Sequence, residues 1–464
     1  MSARRVRTVR TVRTVLLVGV SVRAIAESAA RAGYGVIALD AFGDLDLLAR
    51  APGARSLPRD LGVPYGSVAA ARAARGLECD AAAYVAGFEN SPRAVAMLRE
   101  ERGRALWGNP PEVLRRVRDP VRLARAFAAR GIRAPMVLAG ARAARAGAAA
   151  SHDRGGAPPR DQDNAGRTPE RHRSVATRGG TLRAGTPLER DYTAGDAERH
   201  PSAATRGDST RWLAKRRRSG GGHGVRAWTP GEPLARGSVL QERIDGTPGS
   251  VVFVADGAGR AVPIGMSRQL VGETAFGARG FTYCGSILGG AGDPQFDEDA
   301  SLLASAAALA TAAADAFALV GVGGVDFIAR RGEAVPVEVN PRYSASMELV
   351  ERAYGLSVFA EHARACEGGP LPAFDLARAR GAGGGAVGKA IVYARRDLVL
   401  GDTAGWLDDD SLRDVPHSGE RVPAGRPICT VLARGDDAAD CQAALERRAA
   451  LVYEEAECRR RRTA

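Results

Sequence analysis

Residues 324–343 have the sequence GVDFIARRGEAVPVEVNPRY. Valines at positions 335, 337 and 339 alternate with other residues, which is the period-2 pattern of a strand with one buried face. Glu338 and Asn340 occupy the opposite face, and Pro341 ends the strand before Arg342. The segment therefore predicts a β-hairpin whose second strand gathers polar side chains on one face.

The length of the hairpin loop determines which residues face each other. A three-residue loop at 331–333 places Asp326 opposite Glu338, with Cβ atoms about 4.5–5.5 Å apart. A two-residue turn would instead put Asp326 on the other face. Two carboxylates this close repel each other unless a cation or a proton lies between them, and oxygen ligands suit Mg²⁺. The alternative is a pair of exposed acids on an edge strand, and Arg342 beyond them argues for an anionic ligand instead.

Composition limits the class of protein. A chain of 464 residues is long enough for two or three domains. The net charge of +13 comes from arginines spread along the whole sequence, so a nucleic-acid partner is not expected. Six cysteines without a CxxC pair predict reduced thiols in a cytoplasmic protein. The apolar run 15–20 is too short for a membrane span, so no membrane partner is expected.

The order of predicted elements indicates several domains. Strands and helices alternate over the first hundred residues, which predicts a parallel sheet covered by helices. A dinucleotide-binding G-x-G-x-x-G spacing is absent after the first strand, which favours an ordinary βα turn. The predicted units are an α/β domain (1–110), a helical lead-in (111–140), a disordered Arg/Gly/Ala/Pro-rich insertion (141–210), a central domain (211–375) and a small β-rich C-terminal domain (376–464).

Lysine is rare in this chain, so each lysine is informative. Lys215 and Lys389 are the only two, against 64 arginines (66 minus 2). Lys215 precedes a glycine-rich segment whose backbone N–H groups suit phosphate oxygens; its members are Ser219, Gly220, Gly221, Gly222, His223 and Gly224. A flexible linker has the same composition, and His223 alone is better explained as a solvated residue.

A second glycine-rich segment, GGGAVGKA at 383–390, approaches the P-loop pattern. Ala390 stands where the pattern requires a hydroxyl, and a strand-like sequence follows where a helix should begin. We therefore interpret Lys389 as structural, or as a contact to a neighbouring domain.

The motifs together resemble the ATP-grasp superfamily. The resemblance covers roughly residues 105–365 in order: lead-in helices, Lys215 with its glycine-rich loop, LQERIDG, and GVDFI with VEVNPR. Further segments, among them NPRYSASMELVERAYG, are similar to a branch of predicted ATP-dependent carboligases, with tyramine–glutamate ligase and biotin carboxylase as more distant relations. The fold implied is a parallel α/β domain followed by two antiparallel-sheet subdomains and a small β-rich C-terminal region.

The resemblance implies roles for specific residues. Asp326, Glu338 and Asn340 would hold Mg²⁺, or Mn²⁺ in its place, and Lys215 with the 219–224 loop would contact the phosphates of ATP. Arg342 and Arg268 would stabilise the transferring phosphoryl group. The adenine contacts would come from an interdomain hinge made of Gln241, Glu242, Arg243 and Ile244. The chain departs from the family at Asp119-Pro120, where an Asp-Lys pair is usual; Arg122 and Arg125 are candidate substitutes.

The activity implied is that of an ATP-dependent carboxylate–amine ligase acting through an acyl phosphate. Its partners would be a small-molecule carboxylate and an amine, and a homodimer is left open. One alternative is a carboxylase-type or carboxylate-phosphorylating enzyme. The other is an ATP-binding regulatory protein without turnover, which the missing Asp-Lys pair favours and the intact metal ligands oppose.

Overall fold

The computed structural model of the chain describes residues 12–101, 103–139, 211–296 and 298–458. The predicted insertion at 141–210 lies outside the described residues. The strands are β1 (Thr14–Val18), β2 (Gly35–Asp40), β3 (Arg55–Ser56), β4 (Ala81–Tyr84), β5 (Ala105–Trp107), β6 (Val137–Ala139), β7 (Trp212–Arg216), β8 (Arg226–Trp228), β9 (Ser238–Glu242), β10 (Thr247–Asp256), β11 (Ala261–Val271), β12 (Tyr283–Leu288), β13 (Val320–Arg330), β14 (Glu333–Asn340), β15 (Ala386–Tyr393), β16 (Leu398–Val399), β17 (Leu412–Arg413), β18 (Arg421–Val422) and β19 (Pro427–Gly435).

Helices connect and cover these strands. The α-helices span Arg23–Arg31, Leu45–Arg50, Leu57–Leu61, Ser67–Ala73, Pro92–Glu100, Pro111–Val117, Pro120–Ala128, Asp299–Phe317, Met347–Tyr354, Val358–Cys366, Leu376–Ala382 and Ala438–Cys458. The helix after Asp119 illustrates how sequence sets a boundary. Asp119 accepts hydrogen bonds from the Val121 and Arg122 N–H groups, and Pro120 occupies the first helical position.

The N-terminal strands form the predicted parallel sheet. Their order is β3-β2-β1-β4-β5, and every pairing in it is parallel. Strand order reverses between β1 and β4, so the loops that follow these two strands diverge at the carboxyl edge of the sheet. In open α/β sheets this position is where ligands bind.

Two larger sheets follow, besides a two-stranded pairing of β16 with β18. A four-stranded sheet has the order β6-β9-β7-β8, and an eight-stranded sheet has the order β14-β13-β10-β11-β12-β15-β19-β17. The predicted boundary at residue 375 falls within the second of these, because β15, β19 and β17 continue the sheet of the central region. The other predicted boundaries stay predictions.

The eight-stranded sheet is covered on both faces. The helix Asp299–Phe317 packs on one face through residues such as Leu302 and Leu309. Helices from residues 347–366 cover the other face, where side chains of the N-terminal sheet join the same core. The helix Asp299–Phe317 has the length and apolar composition of a membrane span, and its inward side is part of this core.

The hairpin at 324–343 forms with a different turn from the one predicted. Arg331 and Gly332 make a two-residue turn with φ angles of 50° and 70°. The three-residue loop is therefore wrong, yet Asp326 still pairs with Glu338. A β-bulge reconciles the two observations: Phe327 pairs with Pro336, which leaves Val337 as the extra residue and shifts the register by one.

Candidate functional site

On the polar face of the hairpin, Asp326 accepts hydrogen bonds from two amide side chains. Asn340 Nδ2 donates to Asp326 Oδ2 at 2.8 Å. Gln269 Nε2, from β11, donates to Asp326 Oδ1 at 3.0 Å. Burial raises the pKa of Asp326, and the negative charge of Glu338 raises it further. The hydrogen-bond donors to Asp326 are neutral, so a cation placed here would be stabilised by an incompletely compensated carboxylate.

Glu338 is held by two cations. Arg118 Nη1 donates to Oε1 at 2.7 Å, and Lys215 Nζ donates to Oε2 at 2.9 Å. Burial opposes ionisation of Glu338, but the charges of Arg118 and Lys215 outweigh it and lower the pKa to about 2. Glu338 is therefore ionised at neutral pH. Lys215, predicted to contact phosphates, lies at the same cleft as the predicted metal ligands.

Arg118 was missed by the sequence reasoning. It is 7% exposed, and besides Glu338 it donates to the carbonyls of Val339 at 2.8 Å and Ser219 at 2.6 Å. Its Nε donates to Asn90 Oδ1 at 3.2 Å. One guanidinium thus joins the acid strand, the glycine-rich loop and the N-terminal sheet.

The proposed substitutes for the family's early lysine are placed elsewhere. Arg122 and Arg125 are both exposed on the helix Pro120–Ala128. Arg118, immediately before the Asp119-Pro120 pair, is the cation of this segment that enters the cleft.

The loop 219–224 lies beside this cleft and is shaped by close packing. A Cβ atom on Gly222, whose φ is 74°, would lie 1.7 Å from the Phe281 carbonyl oxygen. Glycine is therefore required there by contact as well as by conformation. His223 is exposed, and none of the hydrogen bonds described for this part of the chain involves its ring.

The predicted hinge connects the two antiparallel sheets. Gln241 is buried, and Glu242 accepts a hydrogen bond from the Met136 N–H at 3.1 Å. Arg243 and Ile244 then lead from β9 of the four-stranded sheet toward β10 of the eight-stranded sheet. This segment has the connectivity of a hinge; its contact with adenine stays a prediction.

Arg342 links the metal-ligand candidates to the N-terminal sheet. Its Nη2 donates to Asn340 Oδ1 at 3.1 Å and to Glu89 Oε1 at 3.0 Å. Its Nε also donates to Glu89 Oε1, at 3.1 Å. The side chain is therefore beside the predicted site, held by an acid that follows β4.

Arg268 does not join this group, which corrects the expected position. On β11, Ser267 and Gln269 share the face of Asp326, because Ser267 pairs with Ser250, and Ser250 pairs with Asp326. Arg268 lies between them in sequence and so points to the opposite face. There its Nη2 donates to Gln442 Oε1 at 2.7 Å.

Lys389 has the structural role expected for it. It is 4% exposed, and its Nζ donates to Glu348 Oε2 at 2.6 Å. Arg23, from the first helix, donates to the same carboxylate at 2.6 Å and to Asp414 at 3.0 Å. Burial opposes ionisation of Glu348, but the charges of Arg23 and Lys389 hold its pKa well below the usual range. This buried ion cluster connects the N-terminal sheet to the eight-stranded sheet.

The donor set of the site fits Mg²⁺. Asp326, Glu338 and Asn340 offer oxygen atoms alone, which Mg²⁺ prefers. Each oxygen that accepts one hydrogen bond retains a second lone pair. The cleft beside these groups is open to solvent and is lined by Arg118, Lys215 and Glu338, among other residues. Two cations and an oxygen-ligand set at one cleft suit a phosphate-bearing ligand with its metal ion.

Comparisons with known proteins bear on the domain and the fold. Residues 188–346 match the family model described as an ATP-grasp domain. No curated protein sequence matches the chain.

Solved structures show the same fold over most of the chain. Biotin carboxylase from Campylobacter jejuni has a TM-score of 0.62 at 14% identity, covering 94% of this chain and 90% of that one. N5-carboxyaminoimidazole ribonucleotide synthetase from Thermus thermophilus has a TM-score of 0.56 at 18% identity, covering 94% and 97%. The biotin carboxylase domain of 2-oxoglutarate carboxylase from Hydrogenobacter thermophilus, solved with MgADP and bicarbonate, has a TM-score of 0.58 at 14% identity, covering 91% and 86%.

Proposed function

We propose that this chain, which carries an ATP-grasp domain, is an ATP-dependent carboxylate–amine ligase that acts through an acyl phosphate. The observation that carries the proposal is the convergence on one cleft of the Asp326–Glu338 pair with Arg118 and Lys215. This arrangement has the charges needed to bind a metal–triphosphate complex, and Arg342 adds a cation at its edge.

In this proposal each side chain has a defined task. Asp326, Glu338 and Asn340 hold Mg²⁺, which supplies neutralisation of phosphate charge when it is bound. Lys215 and Arg118 contact phosphate oxygens, and the loop 219–224 covers them. The hinge at residues 241–244 contacts the base.

The reaction transfers the γ-phosphoryl group of ATP to a substrate carboxylate, which yields ADP and an acyl phosphate. Arg342 stabilises charge on the transferring group from its position beside Asn340. An amine then attacks the acyl carbon, phosphate leaves, and an amide forms with loss of one proton from the amine. Positioning and charge stabilisation account for the catalysis.

A second candidate is a carboxylase-type reaction, in which bicarbonate is the activated acid. It is favoured by the whole-chain similarity to the biotin carboxylase structures. The two reactions differ in the acid and in the acceptor, so they are separable by substrate dependence.

The test is ADP release from Mg-ATP with pooled carboxylic acids and amines, and separately with bicarbonate. Glu338→Ala should abolish release, whereas Glu333→Ala, at an exposed position on the same strand, should retain it. Release that depends on an amine supports the ligase, and release that depends on bicarbonate supports the carboxylase. Tight ATP binding without release under every condition would support a regulatory protein and refute both.

A further inference from the structure

A group of buried acceptor atoms lies at the carboxyl edge of the N-terminal sheet, apart from the predicted metal ligands. Asp40 ends β2 and is fully buried, and Glu89 follows β4 and is 1% exposed. Asp40 Oδ2 and Glu89 Oε2 have no hydrogen-bond partner among the described residues. A buried carboxylate oxygen without a donor is costly, so each such atom calls for a ligand or another explanation.

The remaining contacts of the two acids fix their orientation. Asp40 Oδ1 accepts hydrogen bonds from the N–H groups of Phe42 and Gly43 at 3.1 and 2.8 Å. Glu89 Oε1 accepts hydrogen bonds from Arg342. In both side chains one oxygen accepts hydrogen bonds, while the other oxygen has no donor among the described residues. Burial raises the pKa of Asp40 to about 7, as expected for a carboxyl group without a cationic partner.

Tyr65 is close enough to both acids to sense their charges. Burial raises the pKa of its hydroxyl, and the charges of Asp40 and Glu89 raise it further. A Cβ atom on Gly87 would lie 3.7 Å from the Tyr65 hydroxyl and 3.1 Å from Val20 Cγ2. Val20 and Gly87 follow β1 and β4, so the hydroxyl lies in the crevice where the strand order reverses. That crevice is the expected ligand position in a sheet of this topology.

We propose that the crevice between Asp40 and Glu89 binds the amine substrate as its ammonium ion. The proposal rests on the ligase function proposed above and specifies which surface takes the second substrate. An ammonium group offers several N–H donors and a positive charge, which match carboxylate oxygens that lack both.

The position of Glu89 suits this role. One of its oxygens accepts hydrogen bonds from Arg342, and Arg342 in turn donates to Asn340 at the predicted metal site. An amine on the other Glu89 oxygen would thus be separated from the phosphoryl-transfer site by a single side chain.

The direct test is thermal unfolding of the full chain with ethylammonium chloride, tetramethylammonium chloride or MgCl₂ at equal ionic strength. Ethylammonium carries N–H donors, and tetramethylammonium carries the same charge without them. Ethylammonium should raise the Tm by about 1–3 °C more than tetramethylammonium does. The difference should vanish in Glu89→Gln and in Asp40→Asn, which keep the shape of each side chain. Asp315→Asn, in an exposed ion pair, is the matched control and should retain it.

Each contrary result overturns the assignment. Equal shifts with the two ammonium salts, or an ethylammonium shift retained in both variants, would show that the crevice does not bind an ammonium group. A Mg²⁺-specific shift lost in Asp40→Asn would identify a metal site instead.

If only the ligase proposal is wrong, the result differs. Ethylammonium would still raise the Tm more than tetramethylammonium does, but no amine would stimulate ADP release. If an amine does stimulate release, Asp40→Asn, which leaves the Glu89–Arg342 pair intact, should raise the KM for the amine at least tenfold while the KM for ATP changes less than twofold. An unchanged KM for the amine would contradict the proposal.

Discussion

Replacing Arg118 with methionine removes the cation that connects three parts of the site. The variant leaves Glu338 Oε1 and the carbonyls of Val339 and Ser219 without their donors. Breaking a buried ion pair by removing one partner costs about 3–5 kcal/mol. Lys215 still neutralises Glu338 at 2.9 Å, so we expect the lower end, about 3 kcal/mol. With a urea m-value of about 3 kcal/mol/M, the unfolding midpoint should fall by about 1 M.

Two further variants make the measurement specific. Arg118→Lys keeps a charge near Glu338 but loses the forked geometry, so its midpoint should fall about half as far. Arg122→Met removes an exposed arginine four residues away and should cost less than about 0.5 kcal/mol. Urea unfolding followed by circular dichroism measures all three. If Arg118→Met is as stable as Arg122→Met, the buried network drawn around Arg118 is incorrect.

Three other outcomes follow from the same contacts. The pKa of Glu338 falls from 4.5 to about 2 on folding, so its ionised form adds about 3 kcal/mol of stability above pH 4.5, and this is lost as the pH falls toward 2. In urea unfolding between pH 3 and 7, the stability of Glu338→Gln should therefore depend less steeply on pH than that of wild type. An equal pH dependence in the two proteins would contradict this. Arg268→Ala should leave the affinity for Mg-ATP within twofold in calorimetry, since that side chain points away from the site, whereas a tenfold loss would return it there. Lys389→Met should lower the free energy of unfolding in urea by about 2–4 kcal/mol, because Glu348 keeps Arg23 but loses one of its two buried cations. A change below about 0.5 kcal/mol would show that the buried ion cluster around Glu348 is not important for stability.

The sequence predicted the fold well where periodicity and order carry the information. Alternation of strands and helices before residue 110 predicted a parallel sheet, and the valines of β14 predicted a half-buried strand. The pairing of Asp326 with Glu338 was also correct, but for a reason that the pattern does not contain. A bulge at Val337 offsets the shorter turn, and a bulge is set by the twist and contacts of neighbouring strands.

The site was harder to predict where it depends on distant contacts. Arg118 contacts a glutamate 220 positions further along the chain, and no local pattern distinguishes it from the many other arginines. The face of Arg268 depends on the pairing of β11 with β10, which the sequence leaves open. Likewise, the short strands after residue 386 predicted a separate small domain. The pairing of β15 with β12 shows instead that they extend the eight-stranded sheet.

In the proposed mechanism the Asp326–Glu338 face binds ATP together with Mg²⁺. Calorimetric titration with a non-hydrolysable ATP analogue, with and without Mg²⁺, tests it most directly, using wild type, Asp326→Asn and the exposed-strand control Glu333→Gln. We predict that Mg²⁺ strengthens binding in wild type and in Glu333→Gln, and that Asp326→Asn abolishes the Mg²⁺ effect. Binding that is equally tight with and without Mg²⁺, or equally tight in Asp326→Asn, would contradict the account.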